Sequence, residues 1–448
     1  MSSNRPESSR TEIPLSEEAG VAIRPSDRPR SPLRALVAPV YLPSVIYAVG
    51  SGAVNPVLAL AALAIGFDHA GSSAVVGVFG MVGIVLSPPV GRFITRIGDR
   101  AALIAGSFIS LAALAGSLWA LWYGASGPAR AVYVTAVVLL SLGANIWSLA
   151  RQAYIAESIP GSYRARAMST LGGMVRLGVL VGPLAATAVL AVYAVNAVFV
   201  VEVVTVLISL ALVVAFVVPE PSVDTRVLEG DDAAAAQFSF DATKRSSNFA
   251  TVVMGVGLNA LTVLRANRNV IVPLWGTFLG LPARFITATF AVTALLDASM
   301  FFISGILMDK RGRLWALMPS LIIMPAAIAV MVLWQSVPGF VLGAALLGFG
   351  NGFGSGIVMT IGADLAPATN KASFFGVWQA IVAIGTASGP FIVSGLTAAI
   401  SLAAGMWATV IIGVAGTAWF ALLIKPAYAR LGMDLRGRPL PQPARERS

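Results

Sequence analysis

The chain has 448 residues, 57% hydrophobic and only 11% charged, with a mean hydropathy of +0.84, a balance that excludes an ordinary water-soluble globular protein. The net charge of +10 would suit nucleic acid only on a soluble basic face, and the sequence provides no domain to carry one. Cysteine is absent and His69 is the single histidine, beside Asp68, which excludes disulfides, thiolate chemistry and a histidine-built metal site.

Residues 1–36 are polar, rich in Ser, Pro, Arg and Glu, and read as a disordered cytoplasmic tail with no signal peptide. Twelve apolar segments follow, near 37–65, 72–94, 100–123, 131–157, 166–190, 194–218, 250–277, 284–308, 314–335, 339–365, 372–397 and 401–424. Each is long enough to cross a hydrocarbon core. Their apolar character is continuous, not alternating, so the expected class is an all-α membrane protein and not a barrel. The polar stretch 219–249, with EGDDAAAAQ and KRSSN, separates a six-helix half at 37–218 from another at 250–424, and 425–448 forms a C-terminal tail. The acids Asp231 and Asp232 solvate that linker, with no further metal ligands nearby in sequence. Lys and Arg gather in the two tails, the linker and the loops at Arg92/Arg96/Arg100, Arg164/Arg166 and Lys310/Arg311/Arg313, against Arg130 and Arg284 on the other side. This bias predicts both termini in the cytoplasm.

The halves are copies. With a constant offset of 207 residues, Gly143 matches Gly350, Glu157 matches Asp364, Pro160 matches Pro367, Gly178 matches Gly385, Gly182 matches Gly389 and Pro183 matches Pro390. Six helices per half make the repeats parallel, related by an axis along the membrane normal. Glu157 and Asp364 sit at cytoplasmic helix ends, where pairing with nearby Arg or Lys is expected.

The loop between segments 8 and 9 reads Gly305-Ile-Leu-Met-Asp309-Lys310-Arg311-Gly312-Arg313, and that between segments 2 and 3 reads Gly91-Arg-Phe-Ile-Thr95-Arg96-Ile-Gly98-Asp99-Arg100. Twice in matching places, this pattern resembles the G-x-x-x-D-R-x-G-R signature of the major facilitator superfamily. The resemblance covers about residues 37–424 and implies a gating role for Gly91, Arg96, Gly98, Arg100, Gly305, Asp309, Gly312 and Arg313, with Thr95 standing where the family has an acid. Segments 5 and 11 carry Gly178-x-x-x-Gly182-Pro183 and Gly385-x-x-x-Gly389-Pro390, similar to the helix-bend motif of the family's exporters. Glycines four apart permit close helix packing and the proline bends the helix, which suits a rocking interface. No lysine follows a glycine as a P-loop requires, so an ATP-driven pump is excluded, and no hydrolase motif argues for an enzyme.

Ionisable residues inside spans are costly and mark function. They are Arg151, Arg176, Glu202, Arg265, Arg268 and Asp297. Counted along the helices, Arg265 lies about 18 Å and Asp297 about 20 Å from the turn joining segments 7 and 8. Matching depth predicts an Arg265–Asp297 ion pair with Arg268 one turn further out. Arg176 has Ala383 as its repeat partner, which singles it out for a ligand or a gate. Segment 1 has no acid and Val137 occupies the arginine position of segment 4, so the proton site common in the family's drug exporters is missing. Any coupled proton falls to Asp297 or Glu202. Three arginines against these two acids leave one excess positive charge, favouring an anionic or neutral amphipathic solute. Asn55, Asn145, Trp147, Asn267, Asn351, Trp378 and Gln379 are candidates to line a central cavity.

The reading is a secondary transporter with no cofactor, metal, nucleic acid or obligate protein partner. Its expected partners are the lipid bilayer, a small-molecule substrate and protons, and its expected activity is proton-coupled efflux of a small amphipathic molecule. A facilitator or importer of an organic anion is one alternative and a non-transporting sensor another. The Ala, Val, Gly and Arg bias suggests a GC-rich bacterium and its plasma membrane.

Overall fold

A computed structural model describes residues 34, 36–158, 161–217, 245–366, 371–436 and 438. The expected linker stretch 219–244 and most of both tails lie outside these residues, as do the side chains of Glu157 and Arg164. Among the described residues there is no strand. A π-helical turn, Val37–Tyr41, leads into α1 (Leu42–Val54) and α2 (Leu58–Ala64), followed by α3 (His69–Val85), α4 (Ser87–Ile97), α5 (Asp99–Tyr123), α6 (Gly127–Ser158), α7 (Gly161–Leu190) and α8 (Asn196–Phe216). The second half comprises α9 (Arg245–Phe278), α10 (Ala283–Arg311), α11 (Leu314–Leu333), α12 (Val337–Phe353), α13 (Ile357–Leu365), α14 (Lys371–Ala399) and α15 (Leu402–Arg430). Among the described residues, eleven helical stretches are long and apolar enough to cross a membrane, and α3 with α4, bent by 52°, makes a twelfth if the pair is one span. The last helix runs past the expected end at Ile424 to Arg430, and α9 starts inside the expected linker.

Both described ends of the chain fall on one face of the bundle, the tail face, and the turns around Gly66, Gly124, Gly280 and Trp334 on the opposite, far face. Far-face starts are capped by side chains: Asp68 Oδ1 accepts from the Gly71 amide at 2.7 Å, and Ser336 and Ser401 cap α12 and α15 in the same way. The tail-face hairpins α4–α5 and α10–α11 turn at Gly98 (φ 82°) and Gly312 (φ 101°), backbone that a side chain would strain.

Three spans are interrupted. α1 and α2 are separated at Asn55-Pro56-Val57. The bend between α3 and α4 falls at Leu86, because Pro88 and Pro89 lack the amides that Ile84 and Val85 would bond. α12 stops at Phe353 and α13 resumes after Gly354-Ser355-Gly356, where Gly356 has φ 80°.

The glycine motifs serve packing inside each half, not the interface expected from sequence. A side chain on Gly182 would start 2.5 Å from the Ala53 amide nitrogen of α1, and one on Gly178 would start 2.5 Å from Ala48 Cβ. Gly385 and Gly389 are pressed likewise onto Asn259 and Asn267 of α9, so the two halves pack by the same rule. The halves meet where α3 lies along α14 and α7 along α10. Ser73 Oγ donates to the Pro390 carbonyl at 2.7 Å, Ser394 Oγ to the Ala70 carbonyl at 2.8 Å, and Thr187 Oγ1 to Thr287 Oγ1 at 3.1 Å. All three cross between the halves near the far face.

Candidate substrate cavity

At mid-depth between the halves lies a cavity of about 380 Å³, lined by Arg176, Arg265, Arg268, Asp297, Asn351 and Ser355 among others. Charge reaches it from α7, α9 and α10; the interrupted span α12–α13 supplies Asn351 and Ser355, and Asn269 of α9 and Thr386 of α14 add further neutral polar groups.

Asp297 pairs with Arg268, not with the expected Arg265. Arg268 Nη1 lies 3.2 Å from Asp297 Oδ2. Side chains on a helix lean toward its N-terminus. Because α9 runs from tail face to far face, Arg268 leans tailward, whereas Asp297 on the returning α10 leans toward the far face. The two leans close the roughly one-turn difference in backbone depth, about 6 Å. Arg265 leans away. Gly352 allows α12 close enough to the Asp297 backbone for Asn351 Nδ2 to donate to the same Oδ2 at 2.6 Å. Asp297 Oδ1, buried, keeps no hydrogen-bond partner.

Arg265 lies against Gly354: its Nη2 and, separately, Ser320 Oγ are each 2.7 Å from where a Gly354 side chain would begin, and the buried Nε of Arg265 has no hydrogen-bond partner. Arg176 comes from the other half. Its Nη1 donates to Ser355 Oγ at 3.2 Å and its guanidinium sits 4.0 Å over the Phe301 ring. Ser355 escaped the sequence reading, although the run Gly350-Asn-Gly-Phe-Gly-Ser-Gly356 is the glycine interruption that marks a broken span and a site.

Glu202 is not at the cavity. It is 2% exposed, packed where α8 crosses α1 at Gly50, with Oε2 lacking a hydrogen-bond partner. The cavity charge is therefore three arginines against one carboxylate, a larger positive excess than the sequence count. Asn145 also lies elsewhere: it donates to the Gly83 carbonyl and, at 3.0 Å, to Ser87 Oγ, holding the α3–α4 bend. Gln379 is exposed and its Nε2 contacts Met359 Sδ at 3.6 Å. Trp147 stacks on Tyr47 and bonds Ser107 inside the first half, Asn267 bonds Thr409, and Trp378 bonds the Val358 carbonyl.

On the tail face, Arg313 holds Asp364 through two bonds, Nε to Oδ2 at 2.8 Å and Nη2 to Oδ1 at 2.9 Å, and Tyr428 Oη donates to Oδ2 at 2.8 Å. This contact raises the Arg313 pKa above its ordinary value, because the hydrogen bonds to Asp364 favour the charged form. The Arg313 amide donates to the Leu435 carbonyl at 2.8 Å, so the segment after α15 is tied under the Gly312 turn. Asp309 and Arg96 are exposed. Thr95 Oγ1 donates back to the Gly91 carbonyl at 3.0 Å and Arg100 Nη2 to the Val214 carbonyl at 2.9 Å, both contacts within the first half.

The family model described as Major Facilitator Superfamily matches residues 40–331 and 256–446. Comparison with curated proteins finds no match. Among solved structures, a POT family transporter in complex with 5-aminolevulinic acid superposes with a TM-score of 0.70 at 12% identity, over 89% of this chain and 96% of that one. Another, in complex with a thioalcohol conjugated peptide, gives 0.71 at 12% identity, over 88% and 96%. A D-xylose-proton symporter gives 0.68 at 17% identity, over 91% and 99%. At these identities the likeness is one of fold.

Proposed function

The chain belongs to the Major Facilitator Superfamily and is a membrane transporter; on that premise we propose that it carries a small organic anion across the membrane by alternating access, coupled to protons through Asp297. One observation carries the reading: the mid-depth cavity holds Arg176, Arg265 and Arg268 against the single acid Asp297. In a low-dielectric interior such an excess repels cations and attracts anions.

Coupling follows from competition for Arg268. An anion that engages this guanidinium displaces Asp297, and a carboxylate deprived of its cation in a desolvated site takes up a proton. Anion and proton are then bound together, which favours symport down the proton gradient. With the tail face cytoplasmic, as the crowding of Arg92, Arg96, Lys310, Arg311 and Lys425 there supports, the net movement is inward across the plasma membrane. Efflux in exchange for protons is the second reading, favoured by the G-x-x-x-G-P pattern of α7 and α14.

Proteoliposomes with an imposed pH gradient and labelled organic anions, cations and neutral amphiphiles test this. Anion flux that follows the proton gradient, and falls at least about tenfold in Asp297→Asn, is the expected result. Flux against the gradient favours export. Flux indifferent to the gradient, or equal in the variant, rules out Asp297 as the coupling group.

A further inference from the structure

Arg268 is balanced by Asp297, but Arg176 and Arg265 line the same cavity without an ion pair among the described residues. Asp297 lies near enough to act on both through space, but it is one carboxylate shared by three arginines, and the groups directly against the other two are neutral: Ser355 Oγ and the Phe301 ring for Arg176, Gly354 for Arg265. A guanidinium does not discharge itself by losing a proton as a buried lysine does. Two positive charges at mid-depth are thus left for a solute to neutralise. They stand on opposite halves, Arg176 on α7 and Arg265 on α9. Beside them α13 begins at mid-depth, next to Ser355, and its N-terminal end adds partial positive charge.

We propose that the cavity takes a small organic dianion, one acidic group meeting Arg176 and the other Arg265 together with Arg268 one turn further along α9, where it displaces Asp297. The proposal rests on the anion reading above and narrows it. A monoanion satisfies one arginine and leaves the other desolvated without a counter-charge, a costly state for a buried cation. A dianion satisfies both and ties the two halves together through the solute, so charge number and closure are read in one step. A cavity of about 380 Å³ accommodates a few carbons between two carboxylates.

The test uses the purified full chain and straight-chain dicarboxylates of four to six carbons beside monocarboxylates of equal length, with binding read by calorimetry. Dicarboxylates are expected to bind at least about tenfold more tightly. Arg176→Gln and Arg265→Gln each bring the dicarboxylate down to the affinity of the monocarboxylate, whereas Arg176→Lys keeps part of the preference and shows that the site is still folded. Equal affinities in the wild type, or a preference that survives both glutamine substitutions, overturn the dianion while the anion reading stands. No acid binding into the millimolar range, with matched diamines or diols bound instead, overturns both.

Discussion

Asn351 on α12 donates to Asp297 on α10 at 2.6 Å, on the same oxygen that Arg268 holds from α9 at 3.2 Å. One carboxylate oxygen therefore joins three helices of the second half. Removing the amide leaves Asp297 dependent on Arg268 alone. Asn351→Ala is expected to lower stability by about 0.5–2 kcal/mol, the range for hydrogen bonds between membrane helices, read as a drop in unfolding temperature in detergent. An unchanged transition would show that the bond contributes little.

The tail-face grip of Arg313 on Asp364 is bidentate and only 11% exposed on each side chain. Breaking one partner of such a pair leaves a desolvated charge, so Arg313→Ala is expected to cost about 3–5 kcal/mol. Tyr428→Phe, which removes one donor to Oδ2, is expected to cost about 1–2 kcal/mol. Arg313→Lys keeps the charge without the fork and should fall between. Chemical unfolding of the three variants gives the order, and a Tyr428→Phe loss equal to that of Arg313→Ala would contradict it.

Gly182 and Gly172 lie on the same helix and predict opposite outcomes. A side chain at Gly182 meets the α1 backbone at 2.5 Å, while one at Gly172 meets nothing within 4 Å. Gly182→Ala should destabilise by about 1–3 kcal/mol through overpacking. Gly172→Ala should be neutral or stabilising by up to about 1 kcal/mol, since alanine is the better helix former. Equal melting of the two variants would remove the packing role assigned to the motif.

The seal near the far face depends on neutral hydrogen bonds, each worth about 0.5–1.5 kcal/mol. Ser73→Ala with Ser394→Ala removes two of them and is expected to shift the population several-fold toward a state open on that face. The chain has no native cysteine, so a single Ala266→Cys in the cavity wall reports the change. Its labelling by an impermeant maleimide added from the far side should rise in the double variant, and an unchanged rate would mean that the seal lies elsewhere.

The number and order of the spans, and the equivalence of the two halves, were legible because continuous apolar runs and a constant repeat offset are properties of the chain itself. Arg176, Arg265, Arg268 and Asp297 were legible for the same reason: charge inside a span is conspicuous. The pairing was not. Depth along a helix is readable from numbering, but Arg268 wins over Arg265 through the lean of the side chains on antiparallel helices, which depth ignores. Glu202 and Asn145 illustrate a second limit, since the apolar pattern does not say which side of a span faces the cavity and which faces the next helix of its own half. The G-x-x-x-G-P motif predicted close packing correctly but not its partner: a glycine face fits any smooth neighbour, and here that neighbour is α1 or α9.

Ser355 sits in the joint between α12 and α13 and accepts the hydrogen bond of Arg176 from the opposite half. A solute that engages Arg176 therefore shares the guanidinium with the joint, which already holds one of its five N–H donors. Occupancy of the cavity and the angle of the broken span are thereby linked reciprocally, so any change that stiffens the Gly354–Gly356 turn should alter solute affinity by the same factor by which solute alters the turn. The joint thus helps to aim the guanidinium at the solute, through a single hydroxyl.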